Sequence, residues 1–86
     1  MHEVDLHGLR PEEALRRVAQ ALHTARIGGA REILIITGRG WGNRLQEPIL
    51  RKKVEAWLKG PDGLRAGARG SRVSSGGGAL TVQLQP

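Results

Sequence analysis

Asp5 and His7 stand two positions apart in the segment Val4-Asp5-Leu6-His7-Gly8. On an extended strand that spacing points both side chains to one face and turns Val4 and Leu6 to the opposite, buried face. A carboxylate beside an imidazole can fix the tautomer of the ring and stabilise its charged form. Such a histidine can give or take a proton near neutral pH. A plainer reading stands beside it on the residues alone. Asp5 can satisfy backbone donors in the turn at Gly8, because Asp and His are both common at turns.

A second chemical feature is the run Gly38-Arg39-Gly40-Trp41-Gly42-Asn43. Glycines let backbone N–H groups face an anion, and Arg39 adds a fork of donors. That combination suits a phosphodiester. No Gly-Lys-Ser/Thr follows, so this is not a P-loop, and the third glycine comes one position too early for a dinucleotide fingerprint. The alternative is a plain turn in which glycine supplies a positive φ. Trp41 either stacks on a base or sugar or caps the loop by packing on the helix that follows. Two Trp and no Phe or Tyr argue against a stacking platform of aromatic rings, so contacts with a nucleic-acid backbone should outnumber contacts with bases.

The charge is asymmetric. Residues 1–37 carry five Arg against five acidic residues, whereas residues 38–86 carry nine Arg or Lys against three. The whole net charge of +6 therefore lies after the first glycine loop begins, which suggests a polyanionic partner. Arg51-Lys52-Lys53 is a basic run on the polar face of a helix: either a solvated face or an extension of a phosphate track. With no cysteine, disulfides, thiolate zinc sites and a cysteine nucleophile are excluded. Asp5 is the one acidic residue placed near these loops, and two-metal nucleases need several carboxylates. No cofactor is demanded by the residues, and a divalent ion such as Mg or Mn is left open. His2 and His23 look incidental. No stretch of about 18 apolar residues is present, and the first residues lack the pattern of a signal peptide. A cytoplasmic location and a monomer are the default expectations, with no membrane partner.

Elements that would position these groups follow from periodicity. Residues 4–7 alternate as a short strand, and Gly8 to Pro11 turns the chain. Pro11 suits the first position of a helix whose first turn holds Glu12 and Glu13. Leu15, Val18, Ala19, Leu22 and Ala25 form its apolar stripe, and Gly28-Gly29 stops it. The continuous apolar run 33–36 reads as a strand buried on both faces. A second helix is expected from about Glu47, with Pro48 in its first turn, Ile49, Leu50, Val54, Trp57 and Leu58 facing inward, and Gly60-Pro61 at its end. Residues 64–69 are a strand candidate, residues 74–78 a flexible turn, and residues 80–84 a half-exposed final strand. The order β-α-β-α-β-β gives an α/β (α+β) two-layer fold: a mixed four-stranded sheet with two helices on one face. Right-handed βαβ connection makes the first two strands parallel neighbours, so their carboxyl ends open on one edge. That edge would unite His7 with Arg39, 32 positions apart (39 − 7).

These segments together resemble the Smr (small MutS-related) domain over nearly the whole chain, so residues 1–86 are read as a single domain of that kind. Val4-Asp5-Leu6-His7-Gly8-Leu9 looks like the opening LDLHGL motif, and Glu13-Ala14-Leu15 like the next helical signature. Ile35-Ile36-Thr37-Gly38-Arg39-Gly40 resembles the strand that runs into HGxG or TGxG. Ser75-Gly76-Gly77-Gly78-Ala79 with Thr81-Val82-Gln83-Leu84 resembles the closing GGxGAT segment and last strand. Thr37 stands where many members have His, Ser75 replaces a glycine, and the longer stretch 41–46 looks more like the stand-alone Smr proteins.

The resemblance implies a fold similar to the C-terminal domain of translation initiation factor three. It also implies binding to DNA or RNA, endonuclease or nicking activity in many members, and a place in DNA repair or recombination. Carried over by position, the catalytic residues are Asp5, His7 and Arg39. Nucleic-acid contacts are expected at Gly8, Arg10, Gly38, Gly40, Trp41, Gly42, Arg44, Lys52 and Arg72. Two other classes stay open: a nucleic-acid-binding module without chemistry, and a protein-interaction domain that sets its basic face on an acidic partner.

Overall fold

The computed structural model describes residues 2–38 and 49–86, with Ser75 described by its backbone alone. Its centre is β2 (Glu32–Ile36), flanked in parallel by β1 (His2–Asp5) and antiparallel by β4 (Ala79–Leu84). β3 (Ala68–Ser74) pairs antiparallel with β4 at the far edge, giving the order β1-β2-β4-β3. The expected mixed four-stranded sheet is thus present.

Helix α1 (Pro11–Ile27) joins the parallel pair. Pro11 opens it, Glu12 and Glu13 lie at its positive end and Arg26 at its negative end, a charge order that matches the helix dipole. Ala14, Val18, Leu22 and Ala25 are its buried residues. Its end is a Schellman cap: Gly29 has φ +80°, its N–H donates to the Arg26 carbonyl, and the Ala30 N–H donates to the Ala25 carbonyl. Only glycine adopts that φ without steric cost.

Cross-strand partners share a face, so the register identifies the core side. Ile33 pairs with Val82 and Ile35 with Leu80, and all four are buried with Leu84, Val18, Leu22, Val54 and Leu58. Both long helices, α1 and α2 (Ile49–Lys59), therefore pack on that one face. Glu32, Leu34 and Ile36 are only half-buried. This corrects the reading of residues 33–36 as buried on both faces. The β-branched run reports strand, but it cannot report that both helices lie on the same side.

Other differences are local. The first strand ends at Asp5 instead of His7, because a turn begins at Leu6, although the Leu6 N–H still donates to Ile36 at 2.7 Å. The expected start of α2 at Glu47 and Pro48 lies outside the described residues. Ile49 is exposed, not inward. The strand candidate 64–69 is displaced: its first two residues end a short helix, α3 (Pro61–Arg65), with Pro61 in its first turn, residues 66 and 67 turn, and only Ala68 and Arg69 are extended. Gly63 makes α3 possible: a Cβ there would lie 2.2 Å from the Leu58 carbonyl oxygen. β3 follows it as an edge strand in which only Ala68 is buried, so it carries no hydrophobic alternation to read. Among the described residues no helix is long and apolar enough to cross a membrane.

Candidate functional site

The residues Leu6 to Leu9 form a β-turn closed by the Leu9 N–H on the Leu6 carbonyl at 3.1 Å. Gly8 has φ +80°, the conformation that the third residue of a type II turn requires. His7 is thereby lifted off the end of β1, with its side chain 72% exposed and that of Asp5 51% exposed. Oδ1 of Asp5 accepts the His7 backbone N–H at 3.0 Å and lies 2.6 Å from Nδ1 of the ring. Both readings of Asp5 hold at once: it ties the turn and it orients the imidazole. An ionised carboxylate can only accept, so the proton sits on Nδ1, and Nε2 is the ring nitrogen left to act on a ligand. The hydrogen bond from the His7 ring, followed by that from the His7 backbone, holds the Asp5 carboxyl below its ordinary value, against a smaller opposing effect of desolvation.

The end of β2 meets this turn. Gly38 has φ +82°, and a Cβ on it would lie 3.4 Å from the His7 Cβ. Thr37, only 5% exposed, donates its N–H to the Gly78 carbonyl at 3.0 Å, and the Gly38 N–H donates to the same oxygen at 3.0 Å. Gly78 follows the 3₁₀ turn Ser75–Gly77, so the turn expected to be flexible is tied to Thr37 and Gly38 at the end of β2. Three segments remote in sequence, around His7, Gly38 and Gly78, converge on one edge of the sheet. Pairing of Asp5 with Ile36, Ile36 with Ala79, and Ala79 with Ser74 runs along that edge.

The described residues bring together Asp5, His7, Gly8 and Gly38. Arg39, Gly40, Trp41, Gly42 and Arg44 lie outside the described residues. Arg72 is exposed and lies one strand pair inward, opposite Thr81, on the same side of the sheet as Asp5. Arg10 is exposed at the start of α1, with its carbonyl accepting the Ala14 N–H. Lys52 is exposed on the first turn of α2. None of these three touches the Asp5–His7 pair by a hydrogen bond or ion pair. Among the described residues no group of three or more His, Asp or Glu side chains is placed to hold a metal ion.

Arg51 departs from expectation. It belongs to a basic run read as the polar face of the helix, either solvated or extending a phosphate track, yet its side chain is 19% exposed, with Nε 3.3 Å from Oε1 of Glu55. Its Nη1 lies 3.1 Å from where a Cβ on Gly77 would stand. The signal was in the spacing: positions 51, 54 and 58 share one helix face, and Val54 and Leu58 are buried.

Comparison with known proteins identifies the family and the fold. The family model described as Smr domain matches residues 4–85. A protein named Endonuclease MutS2 from Clostridium botulinum (strain Langeland / NCTC 10281 / Type F) is 34% identical over 82 residues, covering 95% of this chain and 10% of that protein. A protein named Putative endonuclease MutS2 from Bacillus subtilis (strain 168) is 35% identical over 83 residues, covering 96% of this chain and 10% of that protein. The chain thus spans about a tenth of the length of the curated relatives it matches. The crystal structure of the Smr domain of Thermus thermophilus MutS2 superposes with a TM-score of 0.76 at 31% identity over 100% of both chains. With the family model spanning almost every residue and the same fold in a solved relative, the chain belongs to the Smr domain family.

Proposed function

We propose that residues 1–86 act as one nucleic-acid-binding unit that nicks phosphodiester bonds of DNA or RNA in the cytoplasm. The observation that carries this reading is the Asp5–His7 pair set against the end of β2 at Gly38. His7 Nε2 takes the proton of the attacking hydroxyl, and Asp5 stabilises the imidazolium that results. Arg39 and the amides of the glycine loop stabilise the charge that develops on the phosphorus oxygens. In RNA the attacking group is the substrate's own 2′-hydroxyl; its oxygen bonds to phosphorus, giving a 2′,3′-cyclic phosphate, and the bond to the 5′-oxygen breaks as that oxygen takes a proton from water. In DNA a water must attack, a harder reaction for one imidazole. Relatives named endonucleases support the reaction class, and the positive charge of the chain supports the partner.

A second reading, a binding module without chemistry, is favoured by one feature. Thr37 occupies the place where many relatives have His, and it is buried against Gly78, so it adds no second acid or base beside His7. A panel of intact duplex, branched DNA and structured RNA, treated with wild type and with Arg39→Ala, separates the two. Cleavage that falls in Arg39→Ala supports the nuclease. Tight, salt-sensitive binding without cleavage of any substrate supports the module. Absence of binding at low salt sinks both and favours an acidic protein partner.

A further inference from the structure

We propose that Arg51 is a second phosphate-binding residue of the site, with its guanidinium set against the backbone of Gly77, a residue held at φ +97°. This rests on the nucleic-acid reading above and adds to it a contact that lies on neither of the two loops flanking the Asp5–His7 pair.

Arg51 occupies a position that favours an apolar side chain. It shares a helix face with the buried Val54 and Leu58, and most of its side chain is withdrawn from solvent. Holding a guanidinium there costs stability relative to a well-packed apolar residue of similar volume. Glu55, one helical turn later and itself only 24% exposed, lies 3.3 Å from Nε. Nε is nevertheless buried without a hydrogen-bond partner, so Glu55 balances the charge but leaves the guanidinium unsatisfied there, with the Nη end directed elsewhere. That end reaches Gly77, where Nη1 stands 3.1 Å from the position of a missing Cβ.

Gly77 is one residue from Gly78, whose carbonyl receives the N–H groups of Thr37 and Gly38, and Gly38 abuts His7. Arg51 therefore approaches the same sheet edge as His7. A guanidinium left short of hydrogen-bond partners suits the oxygens of a phosphate. The ligand is the backbone phosphate neighbouring the one at His7.

The test measures binding of a labelled single-stranded RNA, and DNA of the same sequence, over a series of salt concentrations. A His7→Ala background keeps the probes intact. Arg51→Met preserves the packing of the stem, and Arg51→Lys preserves the charge. Arg65→Ala, at the opposite end of the sheet and paired only with Asp62 among the described residues, controls for net charge. Arg51→Met should bind roughly tenfold more weakly, and the slope of log affinity against log salt should shrink by about 0.7 for a single strand. Arg51→Lys should restore most of the slope but not all of the affinity. A purely structural role lowers the melting temperature of Arg51→Met and leaves the slope as it was. A folded Arg51→Met that matches Arg65→Ala in affinity and slope overturns the proposal while leaving the nuclease reading intact. Binding by neither probe in the background protein overturns both.

Discussion

His7 and Gly38, 31 positions apart in the chain (38 − 7), meet so closely that a Cβ on Gly38 would stand 3.4 Å from the His7 Cβ. The parallel pairing of β1 and β2 brings them to one edge, and the shared carbonyl of Gly78 holds that edge together. Proximity here is a product of topology, so the site should be sensitive to backbone changes that leave every polar side chain in place.

Glycine replacements test that sensitivity. Gly8 has φ +80° with nothing within 4 Å of an added Cβ, so Gly8→Ala should cost about 1–2 kcal/mol, the ordinary left-handed penalty. Gly38→Ala meets the same penalty with its methyl in van der Waals contact with His7, so any backbone shift that relieves the φ strain moves His7, and it should lose more activity than stability. Gly63→Ala places a methyl 2.2 Å from the Leu58 carbonyl oxygen and should cost more than about 3 kcal/mol. Urea denaturation ranks the three, and Gly63→Ala must come out least stable.

Core packing gives an independent check on the fold. Leu22 is fully buried among residues of α1, β2 and β4. Leu22→Ala should destabilise by about 2–5 kcal/mol, read from the shift in urea midpoint at unchanged slope. Leu64, half exposed on α3, should tolerate alanine with a change within about 0.5 kcal/mol.

Asp5 makes a pH prediction whose sign is fixed by its partner. Its carboxyl is depressed below 3.8 by the hydrogen bonds from His7. A carboxyl with a lowered folded value contributes stability above its unfolded value and loses it as pH falls through the folded one. The melting temperature of wild type should therefore drop on acidification below 3.8 by more than that of Asp5→Asn. Because the pair is exposed, the difference should be small and should shrink further in high salt.

Much of this arrangement could be read from residue types, and the reasons for the rest are physical. The α1 stripe, its glycine stop, the alternation of β4 and the shared edge of β1 and β2 are signals of local periodicity and of chain handedness. β3 was displaced in the reading because an edge strand of Arg, Gly and Ser buries too little to imprint a pattern, while the helix before it depends on Gly63 fitting against a backbone carbonyl. Arg51 looked like one member of a basic run. Its helical phase with Val54 and Leu58 placed it inward, but only the close approach of Gly77 shows what it faces. The double role of Asp5 was likewise split between two readings until the turn geometry satisfied both.

Single-turnover cleavage by saturating wild type and His7→Ala is the measurement closest to the central claim, with affinity for the same substrate measured alongside. Removing a general base of this kind should slow the chemical step by about 10²–10⁴-fold while the dissociation constant stays within a factor of about 3, a difference under 1 kcal/mol. Equal rates for the two proteins, or a slower rate fully explained by weaker binding, would contradict the assignment of His7 as the group that moves the proton.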